Sequence, residues 1–315
     1  GRRGAFFRGT CRAAAADPDL PGDRGCAGRE QQRAVHVVQH AQVQHTVVVV
    51  RRGRHRPAVL RLGRISYVNM APLFQRLETD AVEVGGVPTE LNAKLCSGDL
   101  DLAPISSIEW ARNAERLLLL PRLCVSSQGA VDSIQLVSPK PIERIRSIAV
   151  TSESATSAVL ARVLLPDAEQ LTFEADADAR LLIGDAALRS MFEDPTPHYD
   201  LGRLWQERTG LPMVYAVFAT PAPLRVGVME LEDALLESHR LARTDGENLA
   251  REASHEHGYP AGFLARYFEK LHYRFGPQER AGLRAFLELA RDASVLGEVP
   301  DFAFVGETDA MILGS

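Results

Sequence analysis

The chain has 315 residues, of which 45% are hydrophobic and 24% are charged, and its formal net charge is −5. At about 150 residues per domain, this length indicates two domains with a core large enough to fold without disulfides or metals. The mildly acidic balance gives no indication of a nucleic-acid or anionic-membrane partner, and no apolar run reaches the roughly 20 residues that span a bilayer.

The cysteines show no CxxC or CxH spacing, which disfavours a disulfide framework or a zinc site and is typical of free thiols in a reducing compartment. The first thirty residues also lack the continuous apolar segment of a secretory signal. We therefore expect a cytoplasmic protein. The four cysteines are Cys11, Cys26, Cys96 and Cys124.

Residues 1–58 differ in composition from everything that follows. They are rich in Arg and Gln, contain four of the nine histidines and show no periodicity beyond one valine run. Such a stretch cannot bury enough surface to offset the entropy of ordering it. We interpret it as an appended tail, either a disordered extension or upstream sequence read from too early a start; a metal-binding His tract is the less favoured alternative.

From Leu60 the pattern alternates between strands and helices, which predicts parallel sheets covered by helices on both faces. Residues 87–98 predict a helix that begins at Pro88 and ends at Gly98. From Glu230 the chain predicts almost continuous amphipathic helix, including residues 262–275 and 278–293. The predicted strands are Leu60–Ile65, Asp99–Ala103, Ser133–Val137, Ser147–Thr151, Arg180–Ile183 and Val214–Ala219.

Four polar segments each follow a predicted strand and precede a predicted helix. In open α/β sheets, ligands bind beyond the carboxyl ends of the strands. Each segment alone is explained by helix capping, but together they predict a cleft lined by hydroxyls and free helix N–H groups. Such a cleft suits a small anion, particularly a carboxylate. The segments are Ser66–Asn69, Ser106–Ser107, Ser152–Ser157 and Gly184–Asp185.

These segments contain no His, Cys or Lys, and their only carboxylates are Glu153 and Asp185. A Ser-His-Asp site would need a histidine, and those beyond the tail fall mostly in helical stretches. The glycine spacing matches neither a dinucleotide-binding nor a P-loop fingerprint. The residues thus disfavour nucleotide cofactors and metals, and leave either pure binding or a cofactor-free reaction.

At this point the residues resemble a known family. The segments GRISYVNMAPLF, GVPTELNAKLCSGDLDLAPISSIEWARNA, LLLLPRLCVSSQGAVDSIQLVS, VTSESATSAVL, ADARLLIGDAALR and DLGRLWQERTGLPMVYAVFA resemble the chorismate dehydratases of the futalosine route to menaquinone. The similarity runs from about Leu60 to Phe304, in order, and leaves out the tail. The sister enzyme of that pathway shares the fold but typically has a Pro-Asn-Asp motif and a catalytic histidine, and neither is evident here.

The resemblance implies a type II periplasmic-binding-protein-like fold, in which two α/β lobes joined by two crossing strands enclose a central ligand cleft. The crossings would be Ser133–Val137 outward and Val214–Ala219 on the return. Lobe one would then comprise residues 59–139 and 222–305, and lobe two residues 140–221. Closure of the lobes would exclude water from the ligand.

The resemblance also implies the substrate chorismate, loss of water to give 3-[(1-carboxyvinyl)oxy]benzoate, and no cofactor or metal. It assigns catalytic roles to Asn69 and Ser133. A solute-binding protein of the same fold and the sister enzyme remain alternatives, and a monomer and a homodimer are equally compatible. The residues expected to bind substrate are Ser66, Tyr67, Ser106, Ser107, Ser154, Thr156, Ser157, Gly184 and Asp185.

Overall fold

The computed structural model describes residues 59–306, so the predicted tail at 1–58 lies outside the described residues. The described part contains eleven strands and ten α-helices. The strands are β1 Arg61–Ile65, β2 Val82–Gly86, β3 Ala103–Ser106, β4 Leu117–Ser127, β5 Ile134–Val137, β6 Ser147–Val150, β7 Glu169–Thr172, β8 Ala179–Ile183, β9 His198–Asp200, β10 Met213–Pro221 and β11 Leu271–Arg274. The helices are α1 Ala71–Phe74, α2 Pro88–Ser97, α3 Ser107–Arg112, α4 Ala155–Leu164, α5 Gly184–Glu193, α6 Leu201–Thr209, α7 Val228–Thr244, α8 Gly246–His257, α9 Ala261–Lys270 and α10 Pro277–Asp292.

Strands β1–β4 form one sheet together with β10 and β11. Four of them pair in the order β11-β4-β10-β3, and β1 pairs with β2 in parallel. A parallel bridge between Leu62 and Leu102 joins the two groups. Every residue of β10 except its last is buried, since this antiparallel strand lies between β3 and β4 and is covered by helices such as α10. We call this six-stranded arrangement the first sheet.

The second sheet is formed by consecutive strands in the order β7-β6-β8-β5-β9. Strands β6, β7 and β8 are parallel to one another. Strand β5 lies beside β8 in the antiparallel direction and is buried along its whole length. The two sheets therefore share one arrangement. In the first sheet β10, which follows the second sheet in the chain, pairs antiparallel with β3; in the second sheet β5, which follows β4 of the first sheet, pairs antiparallel with β8. This order is that of a type II periplasmic-binding-protein-like fold, with β5 and β10 as the two crossing strands.

The strand pairing shows where the chain passes from one sheet to the other. Strand β5 pairs with β8 and β9, and β10 pairs with β3 and β4. The chain thus changes sheet at residues 128–133 and 210–212. The predicted lobe boundaries at 139–140 and 221–222 fall just after β5 and β10, and this division into lobes stays a prediction.

Several element predictions are confirmed and two are wrong. Helix α2 begins at Pro88 and is terminated after Ser97 by Gly98, whose φ of 81° is the left-handed conformation that glycine adopts readily. The strand predicted at 99–103 instead occupies Ala103–Ser106, because Asp101 is held by Arg61 and Arg225 before the ladder begins. The helix predicted over 262–275 ends at Lys270, and the next four residues form β11 against β4.

Candidate functional site

A cavity lies where the carboxyl ends of strands from both sheets meet. It includes about 550 Å³ of space between protein atoms, part of it continuous with solvent. Polar and apolar side chains line it in similar numbers. The lining residues are Ile65, Tyr67, Asn69, Pro88, Ser106, Val125, Val131, Ser133, Ile134, Ser154, Ser157, Ile183, Gly184, Tyr215, Ala216 and Leu271.

Asn69 lies on a 3-10 turn, Val68–Met70, that follows β1 and leads into α1. Its backbone carbonyl accepts a hydrogen bond from the buried hydroxyl of Tyr273 on β11. Its side chain reaches the cavity, where Oδ1 is buried and has no hydrogen-bond partner within the described part of the chain. A buried amide oxygen without a partner loses the hydrogen bond it would accept in water, so Asn69 Oδ1 is available to a ligand that can donate one.

Ser133 lies at the end of the segment by which the chain passes from the first sheet to the second. Its backbone is fixed on both sides, since its N–H donates to the Val131 carbonyl at 2.7 Å and its carbonyl accepts from the Gly184 N–H at 2.8 Å. The preceding residue, Asp132, has a φ of 60°, a conformation uncommon for any residue except glycine. Ser133 is thus presented to the cavity by a backbone that is held in a sparsely populated conformation.

Asp200 holds that passage segment from the end of β9. Its carboxylate accepts from the N–H groups of Val131 at 3.0 Å and Asp132 at 2.7 Å, and from Gln135 Nε2 at 2.9 Å. It also caps α6 by accepting from the Arg203 N–H at 3.0 Å. Burial raises the pKa of the Asp200 carboxyl, and the backbone N–H donors oppose that rise.

Tyr67 spans the cavity from the first sheet to the second. Its hydroxyl donates to Glu153 Oε2 at 2.8 Å, in the loop after β6, and its ring packs against Gly184. Burial raises the pKa of Tyr67, and the hydrogen bond to Glu153 adds to the rise, so the phenol stays protonated. A second bond between the same regions runs from the Thr89 N–H to the Glu153 carbonyl at 3.2 Å.

Three serine hydroxyls and two helix N-termini meet at the cavity. Ser106 ends β3, while Ser154 and Ser157 begin α4. Gly184 is the first residue of α5, so the N-terminal ends of α4 and α5 lie beside the ligand space. Helix N-termini carry partial positive charge, which favours an anion.

Four of the residues expected to bind substrate do not line the cavity. Ser66 is exposed, and the buried Ser107 hydroxyl donates to the Val214 carbonyl at 2.8 Å. Thr156 Oγ1 accepts from the Ile108 N–H at 3.3 Å. Asp185 accepts from the Val68 N–H at 3.1 Å instead of capping its own helix. The side chains of Ser107, Thr156 and Asp185 are thus used to join elements within the protein.

The Ser157 N–H is also occupied, since it donates to Ser154 Oγ at 3.3 Å. The capping interpretation therefore holds for Ser154; both serines line the cavity, and their hydroxyl oxygens lie 3.0 Å apart, at hydrogen-bond distance.

The apolar side chains that line about half of the cavity were not predicted from the sequence. These side chains come from strand ends and from the passage segment, where hydrophobic letters indicated core. Tyr215 on β10 was missed as well; its hydroxyl lies 2.8 Å from Ser127 Oγ, and burial raises its pKa while Ser127 opposes the rise. The missed apolar residues include Ile65, Val125, Val131, Ile134, Ile183 and Leu271.

None of the described residues that line the cavity carries a charged side chain. Its polar groups are the Asn69 amide, the serine hydroxyls and two tyrosine phenols, of which Tyr67 donates to Glu153 and Tyr215 lies at hydrogen-bond distance from Ser127. Between residues 59 and 306, no group of three His, Cys, Asp or Glu side chains is arranged to hold a metal ion. No helix in this range is long and apolar enough to cross a membrane.

Solved structures share this fold at low sequence identity. A protein from Archaeoglobus fulgidus superposes with a TM-score of 0.66 at 19% identity, over 77% of this chain and 100% of that one. The alkanesulfonate-binding protein SsuA from Xanthomonas axonopodis pv. citri, bound to MOPS, gives a TM-score of 0.58 at 17% identity, over 80% and 97% of the two chains. The protein thus has the periplasmic-binding-protein-like fold that the resemblance implied.

Sequence comparison is more specific. The model of a family described as "Menaquinone biosynthesis" matches residues 60–292, and the chain belongs to that family. The chorismate dehydratase of Thermus thermophilus is 33% identical over 268 residues, which are 74% of this chain and 95% of that protein. The chorismate dehydratase of Campylobacter jejuni is 34% identical over 166 residues, which are 50% and 66% of the two chains.

Proposed function

We propose that the protein is a chorismate dehydratase, a hydro-lyase that converts chorismate to 3-[(1-carboxyvinyl)oxy]benzoate and water without a cofactor. The observation that carries the proposal is the cavity itself. It holds Asn69 and Ser133 among neutral hydrogen-bond donors, in a chain that is 33% identical to a chorismate dehydratase over nearly the whole of that relative.

The cavity suits a substrate that is a dianion with a six-membered carbon ring. Apolar side chains such as Ile65, Val125 and Ile183 can contact the faces of a six-membered ring. Hydroxyls and the N-terminal ends of α4 and α5 can receive the two carboxylates. Ser154 and Ser157 on α4 are the groups we assign to one carboxylate, and Ser106 at the end of β3 to the other.

The reaction needs little from the protein in the way of acid or base strength. The C3–H bond breaks, its electrons form a ring π bond, and the C4–O bond breaks so that hydroxide leaves and becomes water. The ring carboxylate acidifies the C3 hydrogen through the diene, and the product is aromatic. The protein can therefore act mainly by orienting the substrate and stabilising developing charge.

Asn69 and Ser133 fit those two tasks. The Asn69 amide does not titrate near neutral pH and can donate to a carboxylate or to the departing hydroxyl. Ser133 can hold the same leaving group from the other side. No lining residue is a conventional base, so we assign proton abstraction to the enolpyruvyl carboxylate of the substrate, which is attached through the ether oxygen at C3.

The two sheets would then act as two lobes that close over chorismate. The Tyr67 to Glu153 hydrogen bond and the Val68 to Asp185 hydrogen bond both join the first sheet side to the second. Opening would break these contacts and admit substrate, and closing would exclude water from the reacting atoms. The predicted cytoplasmic location would give the enzyme access to chorismate.

Incubation of the purified protein with chorismate tests the function directly. We expect the diene absorbance to fall as an aromatic enol ether forms, with the product identified by mass spectrometry. Binding of chorismate without a spectral change would favour a solute-binding protein of the same fold. Failure to bind chorismate would reopen the sister enzyme of the futalosine pathway.

A further inference from the structure

The most densely hydrogen-bonded carboxylate near the cavity belongs to a residue that does not line it. Asp200 accepts from three backbone N–H groups and one side-chain amide, and only one of these, Arg203, belongs to the helix that Asp200 caps. The other donors, Val131, Asp132 and Gln135, surround Ser133 in sequence. A helix cap needs one such acceptor bond, so capping α6 does not account for the other three.

These extra bonds act on a backbone that is held in a sparsely populated conformation. Asp132 has a φ of 60°, and residues 128–133, which carry the chain between the two sheets, belong to no strand. Gln135 adds a second link, since the amide that donates to Asp200 also donates to the Asp132 carbonyl at 3.0 Å. Such a conformation persists only where its surroundings over-determine it.

Lys270 completes the set of contacts on this segment from the first sheet side. Its ammonium bonds Asp132 Oδ2 at 2.5 Å from the last residue of α9. The Asp132 carboxylate therefore faces α9, and its N–H faces Asp200. Between them, these two contacts fix the residue immediately before Ser133 on both sides.

We propose that Asp200 is a positioning residue for the dehydration, which acts by holding Val131 and Asp132 so that the Ser133 hydroxyl meets the leaving group. The inference rests on the proposed function, because it assigns a role in that reaction. It adds a residue at the end of the edge strand β9, outside the lining of the cavity. Removal of one acceptor oxygen at Asp200 should misplace Ser133 and lower kcat more than it raises KM.

A double-mutant cycle tests this directly. We would measure kcat and KM for chorismate in wild type, Asp200→Asn, Ser133→Ala and the double variant. We expect Asp200→Asn to lower kcat by about tenfold or more with KM changed by less than about threefold. In the Ser133→Ala background the same change should alter kcat by less than about twofold, since the group that Asp200 positions is gone.

Asp178→Asn is the matched control. The Asp178 carboxylate also accepts from a backbone N–H, that of Arg146 at 2.7 Å, and from the ammonium of Lys140. Asp178 immediately precedes β8, whereas the cavity-lining Gly184 immediately follows β8. The Asp178 carboxylate therefore lies at the opposite end of this strand from the cavity. We expect kcat within about twofold of wild type in Asp178→Asn, as for any carboxylate that stabilises the sheet alone.

The possible results separate the inference from the function. An equal loss of kcat in both Ser133 backgrounds, or no loss at all, would overturn the positioning role while leaving the dehydratase intact. A wild type that does not turn chorismate over would overturn both. If Asp200→Asn does not fold, Gln135→Leu removes one donor to the same carboxylate, and we expect a smaller loss of kcat that again disappears in Ser133→Ala.

Discussion

The ring of Tyr67 lies against the backbone of Gly184 so closely that a Cβ atom on Gly184 would be 2.7 Å from Tyr67 Cδ2. The two residues come from opposite sides of the cavity, one after β1 and one at the start of α5. Real Cβ atoms do not approach ring carbons at that distance, so any side chain at Gly184 must displace the phenol ring. The glycine is required by this close approach as well as by its φ of 55°.

We therefore predict that Gly184→Ala lowers kcat/KM by about tenfold or more, because the displaced ring changes the shape of the site. The left-handed backbone alone should also cost about 1 kcal/mol of stability. Gly210→Ala is the control, since Gly210 has a φ of 70° with no neighbouring atom within 4 Å of the new Cβ. Equal activity in the two variants, measured with chorismate, would contradict the prediction.

Asn69→Ala should lower kcat by about 10²-fold, the usual loss when a group that stabilises transition-state charge is removed. The measurement is steady-state turnover, together with the kinetic isotope effect for chorismate deuterated at C3. Asn113→Ala serves as the control. Asn113 directly follows α3, its amide donates to Glu109 within that helix, and it does not line the cavity. Near-normal turnover in Asn69→Ala would remove this residue from the mechanism.

Tyr67→Phe should raise KM by about three- to tenfold with a smaller change in kcat. The substitution keeps the ring on Gly184 and deletes the bond to Glu153 that joins the two sides of the cavity, and such bonds to charged acceptors contribute about 1 to 3 kcal/mol. Tyr199→Phe is matched to it, since that hydroxyl donates to the Lys140 carbonyl at 2.9 Å, outside the cavity. A KM equal to that of wild type would argue against closure through this bond.

His239 should make the unfolding free energy depend on pH. Burial, reinforced by the charge of Arg243, lowers the pKa of His239 from 6.5 to about 4. Between these values the unfolded chain binds a proton that the folded protein does not, so stability falls as the pH drops from about 6.5 to 4 and the loss ends below that range.

Urea unfolding of wild type and His239→Gln across pH 7.5 to 4 measures this dependence. We expect the difference between the two free energies to be constant above about pH 7 and to change steadily below it. His255→Gln, on the exposed side of α8, is the control substitution. A difference that stays constant down to pH 4 would show that His239 is protonated in the folded state.

The positions of the ligand-facing loops could be predicted from the sequence because they depend on local rules. Polar residues between a strand and a helix mark the carboxyl ends of a sheet, and seven of the eleven predicted site residues line the cavity. What each hydroxyl donates to could not be predicted. Ser107 is buried against β10, more than 100 residues away, and that contact exists only because β10 lies beside β3.

Strand β11 could not be predicted from the sequence for the same reason, since it depends on a partner that is distant in the chain. The four residues of β11 continue the helical pattern of α9 and turn into a strand because the edge of β4 is free to pair with them. The apolar wall of the cavity also looked like core, since Val125, Ile134 and Ile183 are as hydrophobic as any buried residue. Only the arrangement of two sheets leaves a space between them.

Because β10 pairs between β3 and β4, it also determines which of the two sheets can be completed first during synthesis of the chain. All five strands of the second sheet fall within residues 134–200, but the first sheet lacks its middle strand until residues 213–221 have been made. At a synthesis rate of roughly 5 to 20 residues per second, β3 waits on the order of 5 to 20 seconds for its partner. When the chain up to the end of α6 is available for folding, the second sheet has all of its strands, whereas the first sheet still lacks β10 and β11. Tyr215 and Ala216 on β10, together with Leu271 on β11, are thus the cavity residues that are synthesised after every strand of the second sheet.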